Sequence, residues 1–124
     1  MKTLTGLFDA SLFVELRRMP ELFCGFGRRS GEGPTLYPVA CSPQAWAAGA
    51  VFQLLQACLG LRVDAAAGRL HLNIPLLPDW LNEVHVRGLR VGDGSIDLRL
   101  QRHGGDVGVN ILDRTGKVEV VILK

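Results

Sequence analysis

Runs of like charge are missing from this sequence. Its 14 basic and 12 acidic residues are interspersed to a formal charge of +2, and only Arg17-Arg18 and Arg28-Arg29 set two basic residues side by side. Without a basic stripe to track phosphates, a nucleic-acid partner is not expected. Cysteine is scarce and odd in number. Cys24, Cys41 and Cys58 lie 17 residues apart with no second Cys or His at metal-ligand spacing, so neither a metal centre nor a disulfide framework is expected, and a reduced, cytoplasmic setting fits. No motif asks for a cofactor. An uninterrupted apolar run of ~20 residues, the length of a bilayer span, is also lacking. The uncharged stretch from Leu36 to Leu61 is broken by Pro38, Pro43, Gln44, Gln53 and Gln56, and its apolar part from Trp46 is too short. Met1-Lys2-Thr3 leads into a stretch holding Asp9 and Glu15 rather than the apolar core of a signal peptide. Membrane association is therefore not expected.

What is present is close to the soluble average: 124 residues, 48% hydrophobic and 21% charged. That length allows one core, or one core with an appendage. The hydrophobic period changes near residues 62–69, which divides the chain into a helical part, 1–65, and a strand-rich part, 66–124. In the first, Leu7, Phe8, Leu12 and Leu16 share a helical face and Arg17-Arg18 sit where a helix C-terminus favours cations, which predicts one helix running to Pro20. The glycine- and proline-rich segment 25–38 is a long loop, of the kind that often carries function. A second helix follows, with Ser42 as N-cap, Pro43 at the first helical position and Gly60 as the stop. Apolar residues cover nearly its whole circumference, so burial on all sides is expected.

From Arg69 onward apolar and polar residues alternate. Leu70, Leu72 and Ile74, then Val84 and Val86, then Leu89 and Val91 after a phase slip at Gly88, then Ile96, Leu98 and Leu100, Val107, Val109 and Ile111, and Val118, Val120 and Ile122 read as short antiparallel strands with one wet face. The slip predicts a bulge. The fold class is thus α+β. Two helices, one apolar all round, cannot cover each other. Either the helices associate with another copy or they belong to a larger helical domain.

Two segments carry the chemistry: Met19-Pro20-Glu21-Leu22-Phe23-Cys24-Gly25-Phe26 and Tyr37-Pro38-Val39-Ala40-Cys41-Ser42-Pro43-Gln44-Ala45-Trp46-Ala47-Ala48-Gly49. Together they resemble the end of the catalytic domain of bacterial amylo-α-1,6-glucosidases, the glycogen-debranching relatives of glucoamylases and trehalases. The resemblance implies that residues 1–65 are the last helices and active-site loop of an (α/α) toroid, followed by a small antiparallel β-sheet module. It also implies an inverting α-glucan hydrolase with Glu21 as general base. Inversion needs such a carboxylate to deprotonate a water, with a carboxylic acid ~6.5–9.5 Å away to protonate the leaving oxygen.

Other residues support a sugar site. Tyr37 and Trp46 offer flat rings for stacking on a pyranose, although Trp46 on a buried helix reads equally well as core. Gln44 could bond a sugar hydroxyl. Arg28, Arg29 and Glu32 could rim the site, although loop charges are usually just solvated. His71, His85 and His103 are too far apart in sequence for a local ligand pair. The general acid of the family is an aspartate from an earlier segment, and Asp9 is the only aspartate before Glu21. A helix of ~18 residues between the two would hold them ~20 Å or more apart, so Asp9 is a poor candidate. The expected partners are an α-glucan or branched oligosaccharide, with self-association or a missing upstream helical portion. The alternative is a non-catalytic carbohydrate-binding or self-associating module derived from the same family.

Overall fold

A computed structural model describes every residue from Met1 to Lys124. The chain forms two compact units, Met1–Leu55 and Gln56–Lys124. Its helices are α1, Lys2–Ser11, and α2, Ala45–Cys58, and its strands are β1, Leu61–Asp64, β2, Arg69–Asn73, β3, Glu83–Val91, β4, Gly94–His103, β5, Asp106–Thr115, and β6, Glu119–Leu123. Helix accounts for 22% of the residues and strand for 36%. The expected end of an (α/α) toroid is therefore corrected. Strand outweighs helix, and residues 12–44 between the two helices are mostly irregular chain rather than the tight turn of a helix hairpin. Only the coarse mixture of helix and sheet agrees with the sequence reading.

The first correction is local. The helix expected to reach Pro20 ends at Ser11, where the Leu12 N–H turns back to the carbonyls of Asp9 and Ala10. A single 3₁₀ turn, Glu15–Arg17, follows, and within it Leu16 and Arg17 take φ of 51° and 55°. A right-handed helix cannot pass through two such residues, and each costs a non-glycine residue roughly 1–2 kcal/mol. The spacing of Leu12 and Leu16 suggested a continuing helical face, yet these side chains are 49% and 70% exposed. The core of this unit is small. Ala10, Met19 and Ala47 are buried, and Leu7, Val14, Phe23 and Val51 pack around them.

Helix α2 also departs from expectation. Ser42 and Pro43 precede it, joined by a cis peptide bond. Gln44 acts as the cap: its carbonyl accepts the Ala48 N–H at 3.0 Å and its side-chain Oε1 accepts the Ala45 N–H at 3.2 Å. Ala47 is the one buried residue of α2. Trp46 and Phe52 are 62% and 75% exposed, so the all-round burial suggested by its apolar circumference is not provided within this chain.

The second unit holds two three-stranded sheets. β3, β4 and β5 form an antiparallel meander, whereas the other sheet has the order β1-β2-β6, with β2 antiparallel to β1 and parallel to β6. The wholly antiparallel expectation is corrected there, and β1 is a strand that period-2 reading missed. Its four residues LRVD alternate apolar and polar, but they fall at the boundary where the hydrophobic period changes. The buried residues Leu70, Leu72, Val91, Ile96, Leu98, Leu100, Val107 and Val118 belong to the alternating set, whereas Ile74, past the end of β2 at φ 46°, is 64% exposed and Ile111 47%. The register of β3 against β4 shifts between Val86 and Leu89. Gly88 sits in that shift at φ +61°, and its N–H donates to Asp97 Oδ1 at 2.7 Å. This is the bulge that the phase slip announced.

Gly60 ends α2 at φ +55°, and a Cβ there would lie 1.9 Å from the Asn73 carbonyl oxygen. Glycine is required on both counts. No helix of the chain is long and apolar enough to cross a membrane.

Candidate active site

Backbone hydrogen bonds tie the two motif segments together. Glu21 N–H donates to the Cys41 carbonyl at 2.8 Å, Gln44 N–H to the Met19 carbonyl at 3.0 Å, and Cys24 N–H to the Thr35 carbonyl at 2.8 Å. Phe23 and Leu36 form an isolated antiparallel bridge, and the Cys24 thiol donates to the Leu36 carbonyl at 3.5 Å. Residues 19–24 and 35–44 thus run side by side. This pairing satisfies polar backbone that would otherwise lie idle in irregular chain.

Glu21 lies at the centre of this pairing. It is half-buried, and besides its backbone bond its Oε2 accepts the Cys41 N–H at 3.3 Å. One carboxylate oxygen is oriented by a fixed donor. Tyr37 is one residue beyond the Phe23–Leu36 bridge and opens the turn closed by Ala40 N–H at 3.0 Å. Its ring is 44% exposed. Trp46, in the first turn of α2, is exposed rather than core, so its ring is accessible for stacking. Gln44 is also in this neighbourhood, but its amide oxygen is used on α2 itself, which leaves only the amide nitrogen for a sugar hydroxyl.

The loop from Gly25 to Pro38 is anchored by Arg28, a residue that the sequence offered only as a possible rim charge. Its guanidinium pairs with the Asp9 carboxylate, donates to the Glu32 carbonyl from Nε and Nη2 at 3.2 and 3.0 Å, and lies 5.4 Å from the centre of the Phe13 ring. Gly33 packs on the same ring: a Cβ there would meet Phe13 Cβ at 2.6 Å. An arginine in a glycine-rich loop gives no sequence signal of these partners, which come from another element. The loop encloses a cavity of about 350 Å³ lined by Phe26 to Arg29, Glu32, Gly33 and Thr35. Glu21, Tyr37, Gln44 and Trp46 do not line it.

Because α1 stops at Ser11, no long helix separates Asp9 from Glu21, and the separation expected from one continuous helix does not apply. The Asp9 carboxylate is instead committed to Arg28. Among the histidines, His85 shares a hydrogen bond of 2.7 Å with Glu83. No group of three or more His, Cys, Asp or Glu residues is placed to hold a metal ion. A second cavity, of about 370 Å³, opens where the turns at Ala65–Gly68, Gly92–Asp93 and Lys117 meet, and contains none of the residues singled out in the sequence.

Comparison with protein-family models, curated proteins and solved structures gave no match.

Proposed function

We propose that residues 19–46 form the base-carrying side of an α-glucan hydrolase site of the amylo-α-1,6-glucosidase type, with Glu21 as the general base. The observation that supports this reading most is the double hydrogen bond between Glu21 and Cys41, which unites the two motif segments and orients a half-buried carboxylate. A carboxylate with one oxygen on a fixed N–H can use the other to take a proton from water as that water attacks the anomeric carbon. Proton transfer of this kind contributes about 10²–10⁴ in rate. The exposed rings of Tyr37 and Trp46 suit a pyranose face, and the Gln44 amide nitrogen suits a hydroxyl.

The complementary acid is proposed to come from another polypeptide segment, since the one upstream aspartate, Asp9, is occupied by Arg28. Until that acid is present, the alkoxide leaving group stays unprotonated and hydrolysis does not proceed. The same exposure of α2 favours association, with the acid-bearing segment or with a second copy. The test is glucose release from a branched dextrin by an amylo-α-1,6-glucosidase whose own C-terminal segment is replaced by this chain, compared with the Glu21→Gln variant of that chimera. A loss of roughly 10²–10⁴ in kcat is expected for the variant.

A second reading, a non-catalytic glucan-binding module, draws on one observation: Asp9 is tied to Arg28. Under it the isolated chain binds oligosaccharide and Glu21→Gln leaves every activity of the host enzyme within threefold.

A further inference from the structure

We propose that the outer face of the β3-β4-β5 sheet holds a phosphate-binding site, with Arg99 at its centre and Arg87 and Asn110 beside it. Its ligand is inorganic phosphate or the phosphoryl group of a small ester. The site lies wholly in the second unit and does not depend on the hydrolase reading. Ile96, Leu98 and Leu100 are buried in the core, so the alternation of a strand puts Asp97, Arg99 and Gln101 on the opposite face of β4. The register sets His85 of β3 and Asn110 of β5 directly opposite Arg99. Cross-strand neighbours of this kind come within reach of each other, and Arg87, two residues on from His85, is a diagonal neighbour with a long side chain.

Arg99 stands on this face without a partner. It is half-buried, its Nε is enclosed with no acceptor, and its Nη groups bond to nothing in the chain. Arg102, on the same strand, shows the contrast, since its Nη groups reach Asp79 and Asn82. The acids around Arg99 are engaged elsewhere. Glu83 shares a hydrogen bond of 2.7 Å with His85 Nε2 and accepts Gln101 Nε2 at 2.6 Å, and Asp113 accepts the Arg114 N–H at 2.8 Å. At Asp97, two residues from Arg99 on the same face, the bulge is the cause: the carboxylate accepts the Gly88 N–H at 2.7 Å. A guanidinium offers five N–H donors and accepts nothing. Given no acceptor by the chain, it is completed by an anion from solution. Arg87 and Asn110 are exposed and can join it. A phosphoryl group brings up to two charges and three acceptor oxygens, enough for the fork of Arg99, the Arg87 guanidinium and the Asn110 amide together. A carboxylate, with one charge and two oxygens, cannot serve all three.

The experiment is an NMR titration of the full ¹⁵N-labelled chain with inorganic phosphate and with phenyl phosphate, using acetate at matched ionic strength as the control. Phosphate should shift the amides of Arg87, Arg99 and Asn110 and the Asn110 side-chain amide, with a Kd on the order of millimolar. Arg99→Met keeps the apolar stem and removes every donor, and should weaken binding about tenfold or more while the rest of the spectrum matches the wild type. Arg87→Gln, at an exposed position, should weaken it about threefold. Tighter binding of phenyl phosphate would make the ligand an ester, and equal or weaker binding would make it the free anion; both outcomes support the site. Unchanged affinity in Arg99→Met, or in Arg87→Gln should Arg99→Met fail to fold, would overturn it. So would small shifts spread evenly over the arginines and lysines of the chain, or acetate shifting the same amides with equal affinity.

Discussion

Glu21 and Cys41 are joined twice, once through the Glu21 N–H on the Cys41 carbonyl at 2.8 Å and once through the Cys41 N–H on Glu21 Oε2 at 3.3 Å. The side chain proposed as general base therefore also takes part in holding two segments together. Structure and chemistry can be separated by substitution. Glu21→Gln keeps an oxygen for the Cys41 N–H and should change stability by less than about 0.5 kcal/mol, whereas Glu21→Leu removes the acceptor and should cost about 1 kcal/mol. Urea titration of both variants checks this. Equal losses would mean that the charge, not the acceptor, holds the pairing.

Gly60→Ala should be among the most damaging small substitutions in the chain. The new Cβ would sit 1.9 Å from the Asn73 carbonyl oxygen at a residue with φ +55°, so the backbone must move or the hydrogen bond that Asn73 N–H donates to the Gly60 carbonyl at 3.0 Å must break. A loss of about 3 kcal/mol or more is expected from strain and clash together. Thermal unfolding followed by circular dichroism measures it, and a loss below about 1 kcal/mol would show that Gly60 is held less tightly against Asn73.

On the central strand β4, Arg99 Nε is buried with no hydrogen-bond partner. An unsatisfied buried donor of this kind costs about 1–3 kcal/mol. Arg99→Met keeps the apolar stem and removes the donor, and is expected to raise stability by about 1 kcal/mol. A clear loss in chemical denaturation would mean that the guanidinium has an acceptor in solution.

At the chain end, the Lys124 ammonium hydrogen-bonds the Asp106 carboxylate and, with the Val107 N–H, holds its pKa below the ordinary carboxylate range. The folded value is depressed, so the stabilisation is present above the unfolded pKa, near ~3.9, and is lost as pH falls through the folded value. Lys124→Ala should move the Asp106 titration, followed by carboxyl carbon NMR, upward toward the ordinary value. An unmoved titration would assign the shift to the Val107 N–H and the charge of His103.

Legibility differed between the two halves for physical reasons. A strand's period of two is imposed by the pleat, so Leu98 and Leu100 announced their burial and the phase slip at Gly88 announced a bulge. Pairing direction is not written in that period, and the parallel match of β2 with β6 was missed. In the first half, Leu12 and Leu16 kept helical spacing where the backbone at Leu16 and Arg17 turns left-handed, and no residue there signals the change. Helix α2 was recognised with its start misplaced by two residues, because Ser42 and Pro43 resemble a cap although Gln44 performs that role. The pairing around Glu21 could not be read, since residues 21 and 41 are joined through backbone atoms common to every amino acid. The grip of Arg28 on Asp9 and Phe13 was invisible for a related reason: a loop arginine has many possible partners and the sequence ranks none of them.

The most direct test of the central claim is glucose release from a branched dextrin, measured on the 124-residue chain alone, on an amylo-α-1,6-glucosidase whose own C-terminal segment is replaced by this chain, and on the Glu21→Gln variant of that chimera. The chain alone is expected to release none, the chimera to be active, and Glu21→Gln to lower its kcat by roughly 10²–10⁴. Activity of the variant within threefold of the parent would contradict the account and remove Glu21 from the catalytic role.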